Sequence, residues 1–174
     1  MTITYVKIAS VAVGVGGSAS IDFSSIPATY TDLLVKVSAR GNGTGTTMAI
    51  NVRFNGSSAA NYSYRALQGS GAAAISYTSS GGTSCNIGNG AASSSTANTF
   101  NSTDIYIPNY LSSNAKSISF DDANETNAAT AYATLTAGLW NQTAAINQIT
   151  LADYSSSTSF VQYSSATLYG IKSS

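Results

Sequence analysis

The chain has 174 residues, 43% of them hydrophobic and only 8% charged, where an ordinary soluble domain carries roughly a quarter of charged residues. The length suits one domain with a single core, and the hydrophobic share excludes general disorder. Seven basic and seven acidic residues cancel, and the basic ones are scattered from Lys7 to Lys172, which excludes the basic stripe that nucleic-acid binding requires.

The N-terminal residues 7–20 combine one cation with a short apolar stretch, which faintly resembles a secretory signal. Their Val and Ile residues, with Gly between them, favour an extended strand instead. We therefore expect a strand here and no cleaved signal peptide. No stretch of the sequence approaches the ~20 apolar residues that a membrane-spanning helix needs, so no membrane partner is expected.

Apolar and polar residues alternate with a period of two over residues 33–40 and again over residues 48–54. This period is typical of half-buried strands. Because a Gly-rich turn at residues 41–45 separates the two segments, the sequence predicts that they pair as a hairpin. Asn55 and Gly56 predict the next turn.

Residues 69–99 are dominated by Gly, Ala and Ser, with only Ile75, Tyr77 and Ile87 as possible core residues. This composition predicts a long loop that acts as a lid or as an intersubunit contact. Further short strands are predicted around residues 105–107, 118–120, 132–139, 146–151 and 160–171. The whole chain, residues 1–174, is therefore predicted to be one all-β domain, an antiparallel two-sheet β-sandwich like a jelly roll.

Acidic and amide side chains gather directly after Phe120, where oxygen ligands could bind a hard cation such as calcium. The weak candidate ligands are Asp121, Asp122, Asn124 and Glu125. The segment lacks the alternating acidic positions and the Gly of a full calcium loop, so an ordinary turn is the favoured interpretation. No metal or other cofactor is predicted.

Catalysis is disfavoured because the chain contains no His, the usual general acid or base near neutral pH. Cys85 is the single cysteine, without a His to activate it, and is predicted to fill space. No pair of carboxylates is selected by its spacing, so no catalytic residue is predicted and the chain is not expected to be an enzyme.

Tyrosine is abundant, with eleven residues in a chain that has few other large polar groups. Tyrosine suits interfaces because its rigid apolar ring carries a polar tip. A subunit contact or a sugar-binding surface could use these side chains, and ordinary core packing is the alternative. The candidates are Tyr62, Tyr64, Tyr106, Tyr110, Tyr163 and Tyr169.

Three segments, residues 54–65, 138–151 and 162–172, resemble small virion structural proteins of tailed bacteriophages, found as separate particle proteins or as domains of tail fibres. The resemblance extends over most of residues 26–172. It carries no catalytic residues, because the three segments are turn and strand patterns.

This resemblance implies a β-sandwich that decorates or extends a virion, commonly as a homotrimer, with the major capsid protein or other virion proteins as partners. We expect a non-enzymatic capsid decoration or cement protein, made in the bacterial cytoplasm and located in the virion. The chain is short for a fibre shaft and lacks stalk repeats. The alternative is a tail-fibre or surface adhesive module that binds host glycan.

Overall fold

The computed structural model of the chain describes residues 3–127 and 130–173, which form twelve β-strands and no helix. The strands are β1 (Ile3–Ala12), β2 (Ser20–Phe23), β3 (Asp32–Ser38), β4 (Thr47–Phe54), β5 (Tyr62–Gly69), β6 (Ala74–Gly82), β7 (Cys85–Ala91), β8 (Ser102–Ile107), β9 (Lys116–Asn124), β10 (Tyr132–Trp140), β11 (Ile149–Asp153) and β12 (Ser165–Ser173). With no helix in these ranges, none is available to cross a membrane.

The strands form two antiparallel sheets. The large sheet has the order β1-β12-β3-β8-β9-β10-β5-β6, and the small sheet has the order β2-β11-β4-β7. Without β5, β6, β9 and β10, each sheet has four strands, β1-β12-β3-β8 and β2-β11-β4-β7, which is the strand order of a jelly roll built from two Greek keys. The predicted all-β sandwich is thus confirmed, and the four additional strands extend one of its sheets.

The predicted hairpin of residues 33–54 is wrong. Both strands form where the alternation places them, but β3 pairs with β12 and β8 in the large sheet, whereas β4 pairs with β11 and β7 in the small one. Alternation specifies which side chains face the core and leaves the partner strand open. The connection between β3 and β4 crosses from one sheet to the other.

The predicted loop at residues 69–99 is also wrong, because this segment contains β6 and β7. β7 forms by backbone pairing with β4, which does not require large side chains. Residues that follow β7 are held by hydroxyl groups: Ser93 Oγ donates to the Gly43 carbonyl and Ser94 Oγ to the Thr44 carbonyl, both at 2.6 Å. The small polar side chains that suggested a loop are therefore those that fix the backbone.

The core lies between the two sheets, where the buried apolar side chains form one cluster. Val35, Ile105 and Leu168 contribute from the large sheet, and Ile50 and Leu151 from the small one, all without exposed surface. Val35, Ile105 and Leu168 alternate with exposed or half-buried neighbours along their strands, as the pleat requires. The outer faces of both sheets are left for other contacts.

Candidate functional site

The six candidate tyrosines divide into core and surface residues. Tyr62, Tyr64 and Tyr110 are buried. The Tyr62 ring lies 6.4 Å from Trp140 and 6.3 Å from Phe54, and the Tyr110 hydroxyl donates to the Pro27 carbonyl. These three residues pack the sandwich and are not available to a ligand.

The other three tyrosines keep exposed surface, and two of them lie on the same face of the large sheet. Tyr106 on β8 and Tyr169 on β12 are both cross-strand partners of Leu34 on β3, so the three side chains form a row on the outer face of the large sheet. Tyr163 lies apart, in the turn before β12, with 74% of its surface exposed.

The next row along this face begins with Tyr5 on β1, whose partner Ile171 on β12 is almost covered although it points away from the core. Tyr5 itself is 58% exposed. We define the aromatic face as the outer surface around Tyr5, Tyr106, Tyr169 and Leu34. Tyr5 and Leu34 are the members that the sequence analysis did not propose. Tyr5 was missed because the N-terminal strand was expected over residues 7–20, whereas β1 runs from Ile3 to Ala12.

A shallow groove of about 330 Å³ crosses the aromatic face, lined by Tyr5, Leu34, Tyr169, Lys36 and Asp104. Lys36 Nζ and Asp104 Oδ2 lie 2.6 Å apart and form the one salt bridge found within residues 3–127 and 130–173. Both side chains are about half exposed, so the pair contributes little to stability. The groove therefore offers two aromatic rings beside one donor and one acceptor group of opposite charge.

Tyr106 is oriented by Asp32 at one end of this face. The Tyr106 hydroxyl donates to Asp32 Oδ2 at 2.9 Å, and the Asn109 N–H donates to Asp32 Oδ1 at 2.8 Å. Partial burial raises the pKa of Tyr106, and the hydrogen bond to the Asp32 carboxylate and its charge act in the same direction. The hydroxyl is thus fixed as a neutral donor.

The calcium candidates do not form a site, because they lie on β9 and just after it, where alternation separates them. Asp121 is exposed on the outer face, whereas Asp122 and Asn124 are buried on the inner face. Glu125 is exposed beyond the end of the strand. No cluster of three or more His, Cys, Asp or Glu residues that could bind a metal occurs in the part of the chain that the structure describes.

Asp122 has a structural role instead. Its Oδ1 accepts hydrogen bonds from Thr103 Oγ1 at 2.6 Å and Asn101 Nδ2 at 2.9 Å, and its Oδ2 accepts one from the Asn89 N–H at 2.9 Å. Burial raises the pKa of Asp122 against the opposite effect of these donors. The carboxylate links β7 of the small sheet to β8 and β9 of the large one.

Neither the neighbouring pair of surface aspartates nor the single cysteine has the surroundings of a catalytic group. Asp104 and Asp121 are cross-strand partners on the open outer face of the large sheet, not opposed across a cleft as a glycosidase requires. Cys85 is fully buried, and this burial raises the pKa of its thiol to about 12, so the thiolate nucleophile is nearly absent. The predicted packing role of Cys85 is confirmed.

No family model, curated protein or solved structure matches the chain.

Proposed function

We propose that this protein is a non-enzymatic structural component of a bacteriophage virion, a decoration or cement protein that binds the capsid through its aromatic face. The observation that carries the proposal is the aromatic face itself: on one side of the large sheet Tyr5 and Tyr106 are exposed and Tyr169 is half-buried. The resemblance of the sequence to tailed-phage virion proteins supplies the type of particle.

Physical properties of this surface support docking. Tyrosine rings bring large, rigid contact areas whose ordering costs little entropy, and they are enriched at protein interfaces. The near-absence of net charge removes the long-range repulsion that keeps proteins apart. A rigid sandwich bound across neighbouring capsid subunits stabilises the shell by mass action, because it binds the assembled state in preference to the dissociated one.

The decisive experiment uses particles that lack this chain and are supplied with purified variants. Tyr5→Ser with Tyr169→Ser removes two rings from the aromatic face, and Tyr163→Ser is the matched control because Tyr163 is exposed elsewhere. The wild-type protein and the control are expected to bind the particles and restore their survival on heating, and the double variant is not. Equal heat survival of particles with and without the chain would contradict the proposal.

A second candidate function is adhesion to host glycan, which the groove of the aromatic face specifically favours. Sugars stack their apolar faces on aromatic rings and use their hydroxyls with convergent polar groups, and Lys36 and Asp104 lie beside Tyr5 and Tyr169. Binding of the purified protein to a glycan array, abolished by Tyr169→Ser and retained by Tyr163→Ser, would support adhesion. Capsid binding without glycan binding would leave the decoration role alone.

The homotrimer, the capsid partner and the virion location follow from the resemblance and remain predictions. Locating the chain in an electron-microscopy reconstruction of the intact particle tests all three together. Density at a capsid surface lattice point supports decoration, whereas density at a tail fibre supports the adhesive alternative.

A further inference from the structure

β6 is an edge strand without the usual protection. It pairs with β5 on one side, and no strand of the described residues pairs with its other side. Alternate residues of such an edge direct unpaired backbone N–H and C=O groups to solvent, and proteins commonly block them with charged residues or proline. Residues 74–82 read Ala-Ile-Ser-Tyr-Thr-Ser-Ser-Gly-Gly and contain neither.

The opposite edge of the large sheet differs. β1 carries Lys7 near its middle, and its register with β12 shifts between Lys7 and Ala9. A charge and a bulge are two of the devices that prevent edge-to-edge pairing. β6 has its own irregularity, but only at its end, where the register shifts between Tyr62 and Tyr64 and Gly81 has a positive φ of 64°. The stretch from Ala74 to Thr78 is regular.

This regular stretch is complementary to itself. Ile75 and Tyr77 lie on the inner side, since their partners on β5 are the buried Gln68 and Ala66, and Ile75 is 53% exposed. If two β6 strands pair antiparallel about Ser76, each Ile75 faces Tyr77 of the other copy. Pairs of an aromatic and a β-branched residue are among the favourable cross-strand contacts.

The outer side fits the same register. Ser76 then faces Ser76 across the two-fold axis, and Ala74 faces Thr78, which are small side chains without steric conflict. The nearest cation on the adjacent strand is Arg65, the partner of Thr78. From strand and residue spacings, the two Arg65 positions would lie roughly 20 Å apart. This distance is more than twice the screening length of about 8 Å at physiological salt, so their repulsion is largely screened.

We propose that two copies of this chain associate through β6, with the strands antiparallel and Ser76 at the two-fold axis, so that the two large sheets form one continuous sheet of sixteen strands. We infer that the partner of the β6 edge is a second copy of the chain, because in this register each strand offers the other the same favourable side-chain pairs. Neither β6 strand brings a charge to the contact. This inference does not depend on the proposed virion role, and the test below distinguishes the β6 dimer from the homotrimer that the resemblance implies.

The test is sedimentation of the 174-residue chain with substitutions at Ser76, which is exposed and can accept a long side chain without disturbing the fold. The wild type is expected to form a dimer as its concentration rises. Ser76→Lys and Ser76→Glu should each weaken the dimer at least tenfold, because like charges meet at the axis. An equimolar mixture of the two variants should recover it, since opposite charges then meet.

Ser10→Lys, at the other edge of the large sheet, is the matched control, because Ser10 is exposed and its cross-strand partner is the uncharged Thr167. This variant should dimerise like the wild type. A wild type that stays monomeric at all concentrations would overturn the proposal, as would an oligomer that Ser76→Lys leaves intact. A trimer unaffected by Ser76→Lys would refute pairing through β6 and would leave the virion proposal standing. If the aromatic-face variants lose capsid binding but still dimerise like the wild type, the capsid contact and the β6 contact are independent of each other.

Discussion

Gly88 is the residue whose backbone makes room for the buried carboxylate of Asp122. Its φ is +136°, and a Cβ at this position would lie 2.3 Å from Asp122 Cγ. The conformation coincides with the register shift of β7 against β4, which falls between the partners of Ile50 and Asn51. The bulge therefore turns the strand so that Asp122 can reach the Asn89 N–H.

We predict that Gly88→Ala destabilises the protein by about 3 kcal/mol or more, from backbone strain together with overpacking. Asp122 cannot simply move aside, because three donors hold it. Gly14→Ala is the control: a Cβ there meets nothing within 4 Å and should change the free energy of unfolding by less than about 0.5 kcal/mol. Urea unfolding measures both, and equal stability of the two variants would be inconsistent with the packing described.

Asp153 gives a second prediction at this scale, a defined dependence of stability on pH. Burial alone would raise the pKa of Asp153, but hydrogen bonds from Ser155, Ser157 and Thr158 outweigh it and hold the pKa below its ordinary value of 3.8. The folded state therefore gains stability above pH 3.8 and loses it as the pH falls through the lowered pKa. Asp153→Asn should cost roughly 2 kcal/mol at pH 7 and progressively less in acid.

Asp122→Asn is the comparison, because Asp122 should change the stability with pH in the opposite direction to Asp153. Because the folded-state pKa of Asp122 is raised, the wild type loses stability as the pH rises from 3.8 through that pKa. The cost of Asp122→Asn should then be larger at the acid end than at pH 7. Unfolding free energies of the wild type and both variants across pH 3 to 7 check the pair, and parallel profiles would contradict the assigned directions.

At the scale of elements, β7 shows how the two sheets are joined, and it can be probed through Cys85. Its sulfur contacts the carbonyls of Ser63 at 3.5 Å and Leu139 at 3.8 Å, both on the large sheet. A pKa of about 12 leaves only ~0.01% thiolate at pH 8, and the side chain has no exposed surface.

We predict that Cys85 reacts with thiol reagents only when β7 separates from the large sheet. The labelling rate in native buffer should be at least a thousandfold lower than in denaturant and should rise with urea in parallel with unfolding. Gly88→Ala, which weakens the same strand, should accelerate it. Rapid labelling of the native wild type would mean that the sheets are not closed over β7.

The elements also mark the limit of what the sequence could predict. Period-two alternation located β3 and β4 because large apolar residues occupy the buried face of each. It also located β10, although there Leu135 lies on the outer face and Thr134 and Thr136 are buried. It did not locate β6 and β7, because the Gly, Ala and Ser residues that dominate residues 69–99 outweighed Ile75, Tyr77 and Ile87, the three large apolar residues of the segment. Partner strands were equally hidden, since β3 and β4 are consecutive yet lie in different sheets. The same limit applied to the tyrosines, because residue type alone did not separate the buried Tyr62 from the exposed Tyr106.

At the scale of the whole molecule, a low charge content accompanies two separate contact surfaces on the large sheet, the aromatic face and the β6 edge. The residues of the aromatic face lie on β1, β12, β3 and β8, whereas β6 lies at the far end of the same sheet. Contacts through one therefore leave the other free. Leu67 and Leu135, cross-strand partners that are each more than half exposed, lie on the outer face near β6 and extend the apolar surface of the proposed dimer.

The charge balance leads to the last prediction, which concerns how salt affects self-association. Seven cations and seven anions give no net repulsion to screen, and β6 carries no charge. The dimer should therefore be unchanged from about 0.1 M to about 1 M sodium chloride, over which the screening length falls from ~10 to ~3 Å. Ser76→Lys should behave differently, because its weakened dimer results from repulsion that salt relieves, and it should recover in part over the same range.

Ammonium sulfate should strengthen both dimers by favouring apolar burial. Sedimentation in the two salts measures these responses. A wild-type dimer that dissociates in sodium chloride would show that ion pairs hold it, and pairing through β6 could not then account for the association.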